Sequence, residues 1–273
     1  KRTVRARLTW IKPDRIGCAI LLRDRQCPGR AGSRAAPMPR SPSRPASTAM
    51  SHGVMPPRIA LPFADRREAA VQLATALSHL GAANPLVLAI PRGAVPMGRI
   101  VADALGGDLD VVLVRKLGAP FNAEFAVGAI DESGWTYVSE HAALAGADRT
   151  YIEQGSARQL ALIRYRRRLY TPDRGPLPAQ GRVVIVVDDG LATGSTMIAA
   201  LHAARARQPG RLVCAVPVAA PDSLDRVRPL ADEVVCLAAP AQFQAVGQYY
   251  ERFPAVEDSE VVATLAARAT RGT

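Results

Sequence analysis

The most informative segment of this chain is Val183-Val-Ile-Val-Val-Asp-Asp-Gly-Leu-Ala-Thr-Gly-Ser-Thr196. Its first five residues are apolar and mostly β-branched, which is typical of a central strand of a parallel sheet buried on both faces. Two adjacent acids, Asp188 and Asp189, follow the strand directly. Because parallel sheets place their functional groups at the carboxyl ends of the strands, this junction is the first candidate site.

The loop after the two acids has the composition of a phosphate-binding turn. Two glycines permit positive φ and the close approach of a ligand, and three hydroxyl residues add side-chain and N–H donors: Gly190, Gly194, Thr193, Ser195 and Thr196. The pattern predicts a helix over residues 195–207, whose positive dipole end would face the same anion. Loop and helix therefore both favour a phosphate.

The residue types around the loop limit which ligands it could bind. A nucleoside triphosphatase loop needs a Lys before its Ser or Thr, and here Gly194 precedes Ser195, so that interpretation is weak. The two acids would repel a triphosphate, but they can accept hydrogen bonds from vicinal hydroxyls beside a divalent cation. A sugar 5-phosphate fits this combination, and an ordinary strand-turn-helix connection is the simpler alternative.

The same residues, Val184-Ile-Val-Val-Asp-Asp-Gly-Leu-Ala-Thr-Gly-Ser-Thr196, closely resemble the signature with which type I phosphoribosyltransferases bind 5-phosphoribosyl 1-diphosphate. The resemblance implies that Asp188 and Asp189 are the catalytic pair and hold the ribose hydroxyls. It implies a 5-phosphate site formed by Gly190, Ala192, Thr193, Gly194, Ser195 and Thr196. It also implies Mg²⁺, with no direct protein ligand assigned and the two aspartates as candidates through water.

A second anion site is predicted at Pro91-Arg92-Gly93, which ends the first predicted core strand. In the resembled family this position is the diphosphate loop, so Arg92 would contact diphosphate. Gly93 would present N–H groups beside a strained peptide, with a cis non-proline bond as one form of that strain. A simple turn with a solvent-facing Arg is the alternative.

Arg115 and Lys116 are predicted to end a strand over residues 111–117, where their cations could approach the diphosphate or its metal. A surface basic pair is the alternative. Residues 118–124 match the region that forms a flexible cover in the resembled family. Glu124 within it could face the ribose or the nucleophile, or could simply be solvated.

Strand and helix patterns alternate in the order of a doubly wound α/β fold, with a mainly parallel sheet and helices on both faces. A hairpin is predicted at residues 125–130 and 135–138, and a helix over Arg149–Tyr170. Four arginines of that helix, Arg164, Arg166, Arg167 and Arg168, are interpreted as solvated or subunit-contacting. If they reached a neighbouring subunit's diphosphate, a homodimer would complete the site.

The charge of the chain, formally +11, lies almost entirely in its first 49 residues, which hold twelve Lys or Arg against two Asp. We therefore divide the chain into a disordered Arg/Pro/Ala-rich tail, residues 1–57, and one domain, residues 58–273. The tail could be translated upstream sequence, with Met50 or Met55 as the natural start, or a transit peptide. The nearly neutral domain predicts no nucleic-acid partner, and no long apolar run predicts a membrane span. A cytoplasmic location is expected.

Resemblance extends from about Ala60 to the C-terminus and is greatest to bacterial proteins described only as phosphoribosyltransferase-domain proteins. It implies transfer of the phosphoribosyl group to a nitrogen nucleophile, such as a nucleobase in nucleotide metabolism, with release of diphosphate. A small C-terminal hood with Phe243, Tyr249, Tyr250 and Phe253 could stack on the acceptor, or these rings could be core. The alternatives are a non-catalytic regulator that binds phosphoribosyl diphosphate and, less favoured, a sugar-phosphate hydrolase.

Overall fold

The computed structural model describes residues 60–267, apart from the side chain of Glu124. The predicted tail, residues 1–57, lies outside this part. The helices are α1 Arg66–Ala76, α2 Ala94–Leu105, α3 Arg149–Tyr170, α4 Ser195–Ala206, α5 Pro221–Val227 and α6 Asp258–Ala266. The strands are β1 Leu86–Ala89, β2 Asp108–Val111, β3 Val114–Ala119, β4 Asn122–Asp131, β5 Thr136–Val138, β6 Val183–Val187, β7 Arg211–Val218 and β8 Glu233–Ala238. Short 3₁₀ helices cover Ser78–Ala83, Arg228–Leu230 and Val246–Tyr249.

The central sheet has five parallel strands in the order β2-β1-β6-β7-β8. After β1 the chain adds β2 on one side, and it later returns to add β6 on the other side of β1. The strand order therefore reverses between β1 and β6. In doubly wound folds this switch point opens a crevice beyond the carboxyl ends of the two strands. The predicted fold class is confirmed.

Both faces of the central sheet are covered. In β1, Leu86 and Leu88 belong to a core cluster with residues of α4 and α5, whereas Val87 and Ala89 join residues of α1 and α2 in the other cluster. All four side chains are fully buried. This explains the near-continuous apolar sequence of the strands, since neither face meets water. No helix among residues 60–267 is long and apolar enough to cross a membrane.

The prediction of one strand over residues 111–117 is wrong. β2 ends at Val111, and β3 begins at Val114 in a separate antiparallel sheet of order β3-β4-β5. Val112 and Leu113 at the junction are buried. The apolar run therefore continues through the break, and its pattern carries no sign that the chain leaves the parallel sheet. Arg115 and Lys116 lie within β3 instead of at the end of β2.

The region predicted as a flexible cover is the tip of the hairpin between β3 and β4. Ala119 pairs with Asn122 across the tip, and the register shifts beside Gly118. Phe121 at the tip is 95% exposed. The hairpin predicted between residues 125–130 and 135–138 is present, as β4 paired antiparallel with β5.

The helix predicted over Arg149–Tyr170 is present as α3, but the interpretation of Arg167 was wrong. Its guanidinium is buried and forms ion pairs with Asp110 at 2.8 Å and Glu132 at 2.6 Å. These acids lie on β2 and just after β4, so the ion pairs join α3 to both sheets. Helical periodicity could not reveal them, because both partners come from distant parts of the sequence. Arg164 and Arg168 are exposed and Arg166 is half-buried.

Candidate active site

The switch point brings the loops after β1 and β6 into direct contact. Gly93 precedes α2 as its N-cap, and a Cβ added to it would collide with Asp189 Oδ2 and lie 3.2 Å from Arg66 Nη2. The peptide between Pro91 and Arg92 is cis, as one form of the sequence prediction had it. Only glycine leaves room for this approach. The two predicted anion loops are thus neighbours in space.

The two adjacent acids stand at the end of β6, and both are half-buried. Asp188 Oδ1 accepts a hydrogen bond from the backbone N–H of Asp189 at 3.0 Å. Asp189 Oδ2 accepts one from Arg66 Nε at 3.0 Å, and Tyr250 Oη donates to the Asp189 carbonyl at 2.7 Å. The Asp189 backbone and side chain are therefore held from two directions.

The surroundings of the acids favour their protonated forms. Burial raises the pKa of Asp188 well above its usual value, and the neighbouring Asp189 charge raises it further. Burial also raises the pKa of Asp189, although the Arg66 guanidinium offsets part of the effect. Hydroxyl donors or a cation placed beside two carboxylates held this closely would stabilise their ionised forms.

Arg66, at the start of α1, is the site residue that sequence reasoning missed. Its guanidinium lies over the ring of Phe253, 3.7 Å from the centroid, and its Nη1 donates to the Pro254 carbonyl at 2.6 Å. Its side chain is 13% exposed. One sequence signal existed: a cation in the first turn of a helix opposes the helix dipole, so it suggests an anionic partner elsewhere.

The loop after the acids is anchored from behind by α5. Ser223 Oγ donates to the Ala192 carbonyl at 2.6 Å, and Arg226 Nη2 donates to the Thr193 carbonyl at 2.7 Å. Gly194 has φ +70° and caps α4. Within residues 60–267, the N–H groups of residues 192–196 have no acceptor. With its carbonyls occupied, the loop offers its N–H groups to an anion.

Side chains of the same loop remain accessible. Ala192 and Thr193 are exposed, and Ser195 and Thr196 are half-buried. Gly190 is different: it is buried, and a Cβ there would lie 2.7 Å from Val246 Cγ1. Gly190 therefore serves to let the C-terminal segment pack against the loop, while residues 192–196 form the open concave part.

Arg92 forms ion pairs with two acids near the start of α6. Its Nη1 lies 3.3 Å from Glu257 Oε2 and 3.9 Å from Asp258 Oδ1, and its side chain is 39% exposed. Both interpretations of Arg92, the contact with diphosphate and the turn with a solvent-facing Arg, stay predictions. An incoming anion would compete with two acids at the start of α6.

The structure does not bring Arg115 and Lys116 to the two loops. Arg115 Nε donates to Gln159 on α3 at 3.0 Å, and Lys116 is exposed on β3. Both residues lie on β3, in the antiparallel sheet, because β2 ends at Val111. The side chain of Glu124 lies outside the described part of the structure.

The hood aromatic residues are packed against one another. Tyr249 and Tyr250 are buried, Tyr250 stacks on Phe253 with centroids 4.9 Å apart, and Phe243 meets Tyr249 at 5.0 Å. Arg66 covers a face of Phe253. Of the two interpretations of these rings, the structure favours packing over a free stacking surface.

The acidic residues fit a magnesium ion that is shared with a ligand. Among the described residues, no group of three or more His, Cys, Asp or Glu could hold a metal alone. Mg²⁺ commonly binds through one or two carboxylates, substrate phosphates and waters. Asp188, whose carboxylate forms no ion pair within residues 60–267, and Asp189 meet that requirement only together with a phosphate-bearing ligand.

Fold and site together define a doubly wound α/β protein with two predicted anion loops at its switch point. Residues 64–251 match the family described as phosphoribosyl transferase domain. The chain belongs to this family.

Two relatives from Mycobacterium tuberculosis, strains CDC 1551 and H37Rv, carry the name "Putative phosphoribosyl transferase". Each is 42% identical to this chain over 204 residues, 74% of this chain and 46% of the relative. The chain thus spans about half the length of these curated relatives. The crystal structure of TT1426 from Thermus thermophilus is 47% identical, with a TM-score of 0.69, covering 74% of this chain and 97% of that one. Its similarity supports the fold described above.

Proposed function

We propose that this chain is a phosphoribosyltransferase that uses 5-phosphoribosyl 1-diphosphate and Mg²⁺ to transfer the phosphoribosyl group to a nitrogen nucleophile. The observation that carries the proposal is the contact between Gly93 and Asp189, which sets a diphosphate loop against a ribose and phosphate loop. Either loop alone would fit many ligands. A single ligand that spans both needs two anionic ends separated by a polyhydroxylated centre.

Each part of the sugar diphosphate has a place in this arrangement. The 5-phosphate accepts hydrogen bonds from the N–H groups of residues 192–196, a loop whose Ala192 and Thr193 carbonyls are held by α5. The vicinal ribose hydroxyls donate to Asp188 and Asp189. The diphosphate lies along Arg92 and Gly93. Fixing both ends orients the anomeric carbon, which is a positional contribution to catalysis.

The reaction is a displacement at the anomeric carbon. The nitrogen lone pair forms the new C–N bond, the bond from carbon to the diphosphate oxygen breaks, and diphosphate leaves with that electron pair. A proton then departs from the nitrogen. Positive charge grows on the sugar ring as the leaving group departs. With the ribose hydroxyls donating to them, the aspartates are held in their ionised forms and stabilise this charge electrostatically, so no covalent enzyme nucleophile is required.

When bound, Mg²⁺ supplies charge neutralisation for the departing diphosphate. Asp188 and Asp189 are the residues that would hold it, directly or through water. A nucleobase is the proposed acceptor. The hood rings pack against one another, so they give no ground for choosing between purine and pyrimidine.

The test is diphosphate release from the sugar diphosphate and Mg²⁺ with a panel of nucleobases, using the full chain. We expect release with at least one base, and loss of that release in Asp188→Asn with Asp189→Asn while circular dichroism stays unchanged. An exposed-acid variant, Asp225→Asn, is the control. Tight binding of the sugar diphosphate without turnover on any base would support the regulator instead, and absence of both would refute the proposal.

A further inference from the structure

We infer that a second binding site, for a nucleotide-like organic phosphate, lies at the end of α4 remote from the phosphate loop. A cavity of about 540 Å³ is present there. Four arginines and one acid line part of it: Arg164, Arg167, Arg168, Arg207 and Glu132. Its volume falls within the range of small-molecule sites.

The cavity is separate from the transferase site proposed above. It borders residues 176–180, which lead into the start of β6, and Arg207, which follows the last turn of α4. The phosphate loop instead follows the end of β6 and precedes the first turn of α4, and the Gly93 loop follows the end of β1. The twelve residues of α4 span about 18 Å, so one small ligand cannot occupy both places.

Cations beside the cavity outnumber the acids that pair with them. Glu132 accepts from Arg167 at 2.6 Å and from Arg207 at 2.6 Å. Asp110 pairs with Arg167 at 2.8 Å and with Arg174 at 3.3 Å. Three arginines thus share two buried carboxylates. Arg164 and Arg168 add two exposed cations that form no ion pair within residues 60–267.

Arg207 supplies the sharper observation. Its Nη2 is bound to Glu132, but its Nη1 is buried and has no hydrogen-bond partner within the described part of the chain. Buried guanidinium donors are rarely left unsatisfied, because desolvation without a partner is costly. Arg207 lines the cavity, but this nitrogen is covered, so an anion there would satisfy the donor once the guanidinium turns toward it. Planar guanidinium groups suit phosphate oxygens.

An apolar part of the cavity lining indicates what else the ligand carries. It consists of Pro176, Leu177, Pro178 and Ala179, an apolar sequence that offers no charge. If inorganic phosphate were the ligand, these apolar residues would stay exposed to water. A phosphate that carries a flat apolar group, such as a nucleoside monophosphate, would contact the arginines and the apolar residues together.

The experiment measures adenosine 5′-monophosphate binding by calorimetry. The protein is a full-chain Ser195→Asp variant, in which the added carboxylate repels phosphate from the loop at the start of α4. We expect one remaining site. Binding should weaken about tenfold or more in R164Q/R168Q and in R207Q, since each removes charge-assisted hydrogen bonds. Arg158→Gln, an exposed arginine on the same helix outside the cavity, should bind like the parent.

A second titration uses inorganic phosphate, which should bind at least about tenfold more weakly than the nucleotide. Arg164 and Arg168 are exposed, so their substitution should leave thermal unfolding unchanged and keep the result interpretable. No nucleotide binding to the Ser195→Asp protein, or binding that the cavity variants leave unaltered, overturns the inference. Equal affinity for phosphate and nucleotide contradicts the class of ligand. Turnover measured on the Ser195 parent chain tests the transferase proposal independently.

Discussion

Arg66 Nε lies 3.0 Å from Asp189 Oδ2, and this ion pair joins the first helix to the acid that ends β6. The two residues are 123 positions apart in sequence. Because the guanidinium also rests on Phe253 and binds the Pro254 carbonyl, it is fixed by packing before any ligand arrives. Arg66 is therefore a positioning residue for Asp189 and favours its ionised form.

Arg66→Gln should move the acid limb of the pH profile of kcat/KM to higher pH. Arg66 lowers the pKa of Asp189 against the effect of burial. Its loss raises that pKa, so ionised Asp189 persists only at higher pH. Arg66→Lys should restore much of the profile, and the exposed neighbour variant Arg67→Gln should not shift it. An acid limb that is the same in all four proteins would mean that Arg66 has only a structural role.

Asp188→Asn should stabilise the ligand-free protein at neutral pH while removing turnover. A carboxyl group whose pKa is raised by folding takes up a proton more readily in the folded chain than in the unfolded chain. Its cost to stability is absent below the unfolded pKa, grows as pH rises toward the folded pKa and is constant above it. We expect a higher free energy of unfolding than in the parent chain at pH 7, and little difference near the unfolded pKa of Asp.

Urea unfolding of Asp188→Asn and the parent chain at several pH values provides this measurement. Asp225→Asn, which alters an exposed acid, serves as the control and should change stability little at any pH. Destabilisation by Asp188→Asn at pH 7 would show that the ionised carboxylate contributes to folding, contrary to this account.

Gly93→Ala should strongly reduce turnover. The added methyl group would collide with Asp189 Oδ2 and force the two loops apart. The expected loss in kcat/KM is at least about tenfold, because displacement of about an ångström at a reacting centre is costly. Gly175→Ala is the matched control, since a Cβ there meets nothing within 4 Å. Full activity of Gly93→Ala would show that the loops need not touch.

Glu257→Gln should lower the KM for the sugar diphosphate. Glu257 pairs with Arg92 at 3.3 Å and competes with diphosphate for the same guanidinium. The pair is largely exposed, so the change is expected to be no more than about fivefold, the scale of a surface ion pair. Glu260→Gln, an exposed acid on the same helix, should have no such effect. A raised KM would indicate that Glu257 orients Arg92 productively.

The strand, acids and loop from Val183 to Thr196 could be predicted from sequence because all their determinants are local. Apolar β-branched residues specify the buried strand, glycines specify the turn, and the helix begins where Gly194 caps it. The position of Gly93 could also be predicted, because it follows directly from a strand end.

The remainder depended on contacts between distant segments. Arg66 reaches Asp189 only after α1 packs beside the sheet, and Arg167 finds its acids on two other elements. The end of β2 was hidden because Val112 and Leu113 stay buried after the strand stops. A run of apolar residues indicates that the segment is buried, but it does not indicate which sheet the segment joins.

A crystal structure of the chain with 5-phosphoribosyl 1-diphosphate and Mg²⁺ would test the central claim most directly. We predict the 5-phosphate on the N–H groups of residues 192–196, the ribose hydroxyls at Asp188 and Asp189, and the diphosphate against Arg92 and Gly93. Density for the ligand at one loop only, or at neither, would contradict the claim that the two loops hold one sugar diphosphate between them.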